Sequence, residues 1–275
     1  MKNIRRISVL VCLLLATSTI IAQSDFGIWT SIEASTKLNK QFELSLEGEY
    51  RTQANSMHTE RIATGISLSY KNKKVPFLKA DIGYSSMAMY GLGETTIKYQ
   101  ESEEGRLEPK HMNVDAPYWY TRHRATASLT GSIKWGRFKF SLRERYQFTH
   151  RMRSYCDRER SYYFKPLNKW DYELSDFEQP EMLVDEKKAK SDHKLRSRLA
   201  VSYDIKGCAF EPFAEMEVYN QLDKAFAYDK VRYTIGAEYK INKEHKVKAY
   251  YRYQDYADIE EVSGHILGLG YAFEF

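Results

Sequence analysis

The chain has 275 residues, 43% of them hydrophobic, 14% aromatic and 29% charged, with 42 Lys and Arg against 37 Asp and Glu. Three of the basic residues (Lys2, Arg5 and Arg6) belong to an amino-terminal leader, so the mature chain is close to neutral and lacks the charge excess of a nucleic-acid-binding protein. The 22 Tyr and only 6 Pro argue against disorder, and a mean hydropathy of −0.61 excludes a bundle of membrane helices while suiting a barrel, where only alternate strand residues meet lipid.

Residues 1–22 read as a secretory signal: the basic start is followed by an apolar run from Ile7 to Leu15, too short to span a bilayer, with cleavage after Ala22. Cys12 is a passenger within that run. Residues 23–275 then form a single β-barrel domain. No later segment approaches the roughly 20 apolar residues of a membrane helix.

From Asp25 to Ser35, Phe26, Ile28, Thr30, Ile32 and Ala34 alternate with Gly27, Trp29, Ser31 and Glu33, which is the period of two of a strand. The next run is the clearest: Phe42, Leu44, Leu46, Gly48 and Tyr50 share one face, and Glu43, Ser45, Glu47, Glu49 and Arg51 the other. A helical period would mix these sets. Two more runs follow, through Ile62–Tyr70 and Leu78–Tyr84, joined by a tight basic turn. Residues 91–117 break the pattern and read as a long loop.

Beyond that loop, Tyr118 to Ile133 carries Arg122 and Arg124 inward and turns at Lys134-Trp135-Gly136 into a strand with Arg143 and Arg145 inward. Glu144 falls on the outward face of this strand, which requires either a bulge or a place at the rim, because a carboxylate facing mid-bilayer lipid is costly. Residues 152–190 read as a second long loop, rich in Tyr (Tyr155, Tyr162, Tyr163, Tyr172). Strands with Arg196 and Arg198, then Glu211, Glu215 and Glu217, then Arg232, then Lys248 and Arg252 complete the series. Cys156 falls in the long loop and Cys208 in a short turn, at opposite ends of the barrel, so both thiols are expected to be free.

The last residues, Leu267-Gly268-Leu269-Gly270-Tyr271-Ala272-Phe273-Glu274-Phe275, set an apolar, aromatic face against a small or polar one and finish on a bare aromatic. That is the ending of an outer-membrane strand, recognised by the barrel-assembly machinery, with the terminal ring in the interfacial girdle. Short and long connections alternate from residue 52 onward. The fold class is therefore all-β: an antiparallel transmembrane outer-membrane β-barrel of about 10–12 strands. Eleven runs alternate, whereas single-chain bacterial barrels are even-numbered, so residues 25–36 are either an extra element beside a ten-stranded barrel or part of a twelve-stranded one.

Asp25-Phe26-Gly27-Ile28-Trp29-Thr30, Glu47-Gly48-Glu49-Tyr50-Arg51, Glu211-Pro212-Phe213 and Tyr251-Arg252-Tyr253-Gln254, in this order and followed by His265-Ile266-Leu267-Gly268-Leu269, resemble the Bacteroidetes-type family called domain of unknown function 2490. The resemblance covers essentially the whole mature chain. It implies an outer-membrane β-barrel and carries over no functional residue.

The polar inward set offers the functional candidates. Glu43, Glu47 and Glu49 form an acidic wall, Arg122, Arg124, Arg143, Arg145, Arg196 and Arg198 a basic one, Glu215 and Glu217 a second acidic one, and Arg232 and Arg252 a second basic one. Cross-strand ion-pair ladders that fill a narrow lumen are the plain expectation. An arginine-lined constriction for small anionic solutes is the functional one.

His58, His111, His123, His150, His193 and His265 all map toward the long-loop side. With nearby carboxylates they would suit a rim hydrolase of the protease or lipid acyl hydrolase type. No metal-binding spacing, nucleophile elbow, phosphate loop or dinucleotide fingerprint occurs, so neither a metal site, a catalytic residue nor a cofactor is assigned. The leading expectation is a small passive channel or structural envelope barrel in the outer membrane, in contact with lipid and lipopolysaccharide. A soluble periplasmic β-sandwich is a third reading, which fails if the alternate aromatic faces are exposed.

Overall fold

The computed structural model describes residues 25–101, 105, 107–164, 176–257 and 263–275. The leader and Tyr172 lie outside the described residues. The strands are β1 (Asp25–Lys37), β2 (Phe42–Gln53), β3 (His58–Lys71), β4 (Leu78–Gly91), β5 (Glu94–Glu101), β6 (Leu107–Asp115), β7 (Tyr118–Trp135), β8 (Phe138–Arg151), β9 (Ser154–Tyr162), β10 (Glu181–Lys187), β11 (Lys190–Tyr203), β12 (Phe210–Gln221), β13 (Ala227–Lys240), β14 (His245–Tyr256) and β15 (Gly264–Glu274).

A closed barrel runs in the order β1-β15-β14-β13-β12-β11-β8-β7-β4-β3-β2. The alternation that marks these strands in the sequence becomes an inward polar face and an outward apolar one. Ile32 is 65% exposed, Ile82 60% and Ile235 61%, and the inward neighbours of Ile82 and Ile235 are buried or half-buried. A water-soluble sandwich would bury such a set, so that reading falls.

The strand count departs from the even number expected. β1 pairs with β2 antiparallel on one side and with β15 parallel on the other, in unbroken register from Asp25 opposite Gly264 to Ser35 opposite Glu274. An odd series of up-and-down strands must meet its own end in parallel. The first run is thus neither an appendage nor half of a missing hairpin; it is the closing strand of an eleven-stranded barrel.

The described residues divide into two compact units: those of 25–87, 123–149 and 191–275 make the barrel unit, and those of 88–122 and 150–190 the second. The stretches expected to be loops contain four strands, which form a sheet in the order β10-β9-β6-β5. Their signal is weak in the sequence because the strands are short and charged.

Glu144 keeps the regular alternation midway along β8, outward between exposed Leu142 and Tyr146, and its Oε2 accepts a 2.6 Å hydrogen bond from the Ser197 hydroxyl of β11. It is therefore not at the rim, and a neighbouring strand supplies part of the solvation that lipid withholds. Cys156 and Cys208 are free thiols, the first buried and the second exposed.

Candidate functional site

The lumen has two halves, set by side-chain size at inward positions. Toward the loop end, β1, β2, β3, β4, β8 and β12 contribute Trp29, Arg51, Arg61, Met87, Gln147, Glu217 and Tyr219, all buried. Toward the turn end, β2, β3, β7 and β8 present Ser45, Ser67, Thr130 and Ser141, which are too short to meet across the lumen. A cavity of about 850 Å³ opens there.

Two carboxylates organise the filled half. Glu49 accepts from Arg51 Nη2 at 2.5 Å and from Arg61 Nε at 2.6 Å, holding together two guanidiniums that the β2–β3 register places directly opposite each other. Glu217 accepts from Arg143 Nη2 at 2.6 Å, from Arg196 Nη2 at 3.0 Å to each oxygen, and from the Tyr219 hydroxyl at 2.8 Å. Arg143 reaches Glu217 across the intervening strand β11. Charge-assisted contacts of this kind contribute about 1.5–3 kcal/mol each when their partners are desolvated.

Aromatic faces take the remaining cations. Arg51 lies over the Trp29 indole at 3.3 Å, with Arg232 and Arg252 near the same ring at 5.0 and 5.1 Å. Arg196 and Arg232 flank the Tyr219 ring at 4.7 and 4.8 Å. The ring quadrupole stabilises cations that too few carboxylates are present to neutralise.

The ladders expected from the sequence exist, but they run diagonally. Arg198 stands opposite Glu217, yet its guanidinium bonds Glu215 at 3.3 Å; Arg196 stands opposite Tyr219 and bonds Glu217. Long side chains in a twisted sheet reach the diagonal neighbour as readily as the direct one.

Of the other candidates, Glu43 lies 4.0 Å from Lys71, Arg232 donates through Nε to Gln254 at 2.6 Å, and Arg252 donates to the Thr234 hydroxyl at 2.8 Å. Glu47, Arg143, Arg145 and Arg198 line the turn-end cavity. Arg124 borders a small pocket beside Glu49 and Met87. Arg122 is not brought to this set: it falls in the second unit, 5.2 Å over the Tyr120 ring. The structure adds Trp29, Tyr219, Gln147 and Glu33 to the set expected from the sequence, and Trp29, Glu33 and Gln147 share the parity of inward residues.

Three of the six histidines offered for rim hydrolysis pair with tyrosines. His123 meets the Tyr84 hydroxyl and His193 the Tyr146 hydroxyl, each through Nδ1 at 2.7 Å, and His265 pairs with Tyr251 in the same way. Each of these partners is a phenol, not a carboxylate, on the outward face. Such pairs suit an interfacial aromatic girdle, where a ring needs one polar contact.

In the second unit, Asp115, Cys156 and Asp185 bring their ligand atoms within 4.8 Å of one another. The two carboxylates are already neutralised: Arg158 grips Asp115 through Nε at 2.5 Å and Nη2 at 2.9 Å and reaches Asp185 at 2.8 Å, while Lys187 bonds both. A metal ion would have to displace two cations, so the group reads as an ion-pair cluster that ties β6, β9 and β10 together.

Arg158, hydrogen-bonded to it, holds the Asp115 carboxyl below its ordinary value of 3.8, and burial pushes the Cys156 thiol up. A depressed carboxyl contributes stability that is complete above its unfolded pKa and lost as pH falls through the folded one. Amide hydrogen exchange of β6, β9 and β10 is therefore expected to stay slow down to about pH 3.8 and to quicken below it. An Asp115→Asn protein should show the quickening at neutral pH. Equal protection in the two proteins would remove the cluster from the sheet's stability.

The family described as "Protein of unknown function (DUF2490)" matches residues 26–261. The fold is similar to the crystal structure of the beta domain of the Bordetella autotransporter Brka, with a TM-score of 0.50 at 11% identity, covering 87% of this chain and 86% of that one. No curated protein matches the sequence.

Proposed function

Because the chain belongs to the DUF2490 family and has an outer-membrane-type β-barrel fold, we propose that it is an outer-membrane protein whose barrel is closed by its own side chains, not an open diffusion pore. A cleaved leader, residues 1–22, would deliver it across the inner membrane. The final strand, ending Phe273-Glu274-Phe275, would engage the barrel-assembly machinery, and the exposed aliphatic and Tyr–His faces would meet lipid and lipopolysaccharide.

The observation that carries this reading is the loop-end half of the lumen, where Trp29, Arg61, Met87, Glu217 and Tyr219 are each less than 10% exposed. Ion pairs and cation–π contacts fill the space that a porin leaves to water. Arginines outnumber carboxylates in that half, so whatever ions leak through should be anions. The reading assigns the protein no catalysis.

Single-channel recording of the refolded mature chain in planar bilayers tests this. Folded barrels inserted in the bilayer are expected to show no sustained conductance, with brief openings that select anions. A stable open level would overturn the closed-barrel reading.

A further inference from the structure

We propose that the turn-end cavity is a binding site for a small zwitterionic solute of the amino-acid or short-peptide class, its ammonium group held by Glu33 and Glu47 and its carboxylate by Arg145. This deepens the closed-barrel reading above, in which the cavity is reached from the turn end.

Several charges of the cavity wall are already neutralised. Asp81 pairs with Lys79 at 3.1 Å and accepts from Ser69, Arg143 is committed to Glu217, and Arg198 to Glu215. Lys71 lies 4.0 Å from Glu43, and Lys134 and Lys139 are exposed on either side of the β7–β8 turn. Away from that turn, Glu33, Glu47 and Arg145 remain. Among the described residues none of these three has a hydrogen bond or an ion pair, and the Arg145 Nε is buried without a partner.

Their placement separates the signs. Glu33 of β1 and Glu47 of β2 are directly opposite each other in the ladder, both exposed within the lumen, so two like charges meet where a sheet ordinarily avoids them. Arg145 stands on β8, which is separated from β2 in the barrel by β3, β4 and β7. One wall is left short of a cation and another short of an anion. Either defect alone would suit a simple ion; together they put a field across the cavity.

A simple anion would be attracted by Arg145 and repelled by the glutamates, and a simple cation the reverse. A molecule with an ammonium at one end and a carboxylate at the other gains at both. The volume, about 850 Å³, lies within the range of small-molecule sites. The hydroxyls of Ser67, Thr130 and Ser141 on the wall supply both donors and acceptors for a peptide amide.

The test is calorimetric titration of the folded mature chain in detergent micelles with trialanine, N-acetyl-trialanine and trialanine amide. Free trialanine is expected to bind, and each cap to weaken binding roughly tenfold or more, as the loss of one charge-assisted contact implies. Glu33→Gln/Glu47→Gln should abolish discrimination against the acetyl cap alone, and Arg145→Gln discrimination against the amide alone. Both variants should keep the wild-type circular dichroism, since none of these side chains holds a structural partner. The proposal is overturned if capped and free peptides bind alike, or if none binds at millimolar concentration. An open pore with the capping pattern intact would instead overturn only the closed barrel.

Discussion

Glu217→Ala is expected to lower the unfolding free energy of the barrel by about 3–5 kcal/mol, the usual cost of removing one member of a buried charge network. The carboxylate is 6% exposed and accepts from Arg143, Arg196 and Tyr219, so its loss strands two guanidiniums in a space with few other acceptors. Urea titration of the refolded barrel in lipid vesicles measures this directly. Arg145→Met is the control: it removes a cation that has no partner among the described residues, and burying a methionine there should be neutral or stabilising. The same Glu217→Ala barrel should begin to conduct, because the freed arginines repel one another. A change below about 1 kcal/mol would mean that the network contributes little beyond exposed ion pairs.

Tyr250 is held between two glycines. Gly236, Tyr250 and Gly268 stand opposite one another across β13, β14 and β15. A Cβ on Gly268 would lie 1.9 Å from Tyr250 Cζ; one on Gly236 would lie 2.4 Å from the Ala249 carbonyl oxygen and 2.6 Å from Tyr250 Cβ. The first clash is with the far end of a side chain, which can swing into the lumen. The second is with backbone and Cβ, which cannot. Gly268→Ala should therefore cost about 1–3 kcal/mol and Gly236→Ala at least about 3 kcal/mol, with failure to fold as its extreme. Adding Tyr250→Ala should restore much of the Gly268→Ala loss and little of the Gly236→Ala loss. The reverse order in the urea titration would contradict this geometry.

Much of the barrel is legible in the sequence because its strands must satisfy two solvents at once. Phe42 to Arg51 alternates without fault, and the observed β2 keeps every one of those faces. How the ends meet was not legible: parity tells which way the Asp25–Ser35 side chains point, but not that the strand pairs in parallel with β15. Strands β6, β9 and β10 of the second unit escaped because their cohesion draws on Arg158, Asp115, Asp185 and Lys187, whose pairing depends on register and not on hydrophobic period. The inward Arg and Glu set was found by parity alone. Its partners were not, since Arg143 reaches over a whole strand to Glu217 and Trp29 sits beneath arginines from β2, β13 and β14. Glu33 was passed over because the strand that bears it had no settled place.

The parallel seam also bears on the order of folding events. Every antiparallel pair around the barrel joins neighbours in the series, and most are hairpins that can form as local encounters. The β1–β15 pair has no such route: Lys37 and Glu274, which meet there in an ion pair, are 237 residues apart. Closing a loop of that length costs about 5 kcal/mol of chain entropy. That cost falls while the sheet is still curved and open, and the flanking hairpins lower it by bringing the two edges into reach. Zipping of hairpins should thus be fast and early, and edge-to-edge capture of β1 by β15 slow and last. Substitutions along this seam will act on the closing rate, while those within β12 to β14 act on how much sheet there is to close.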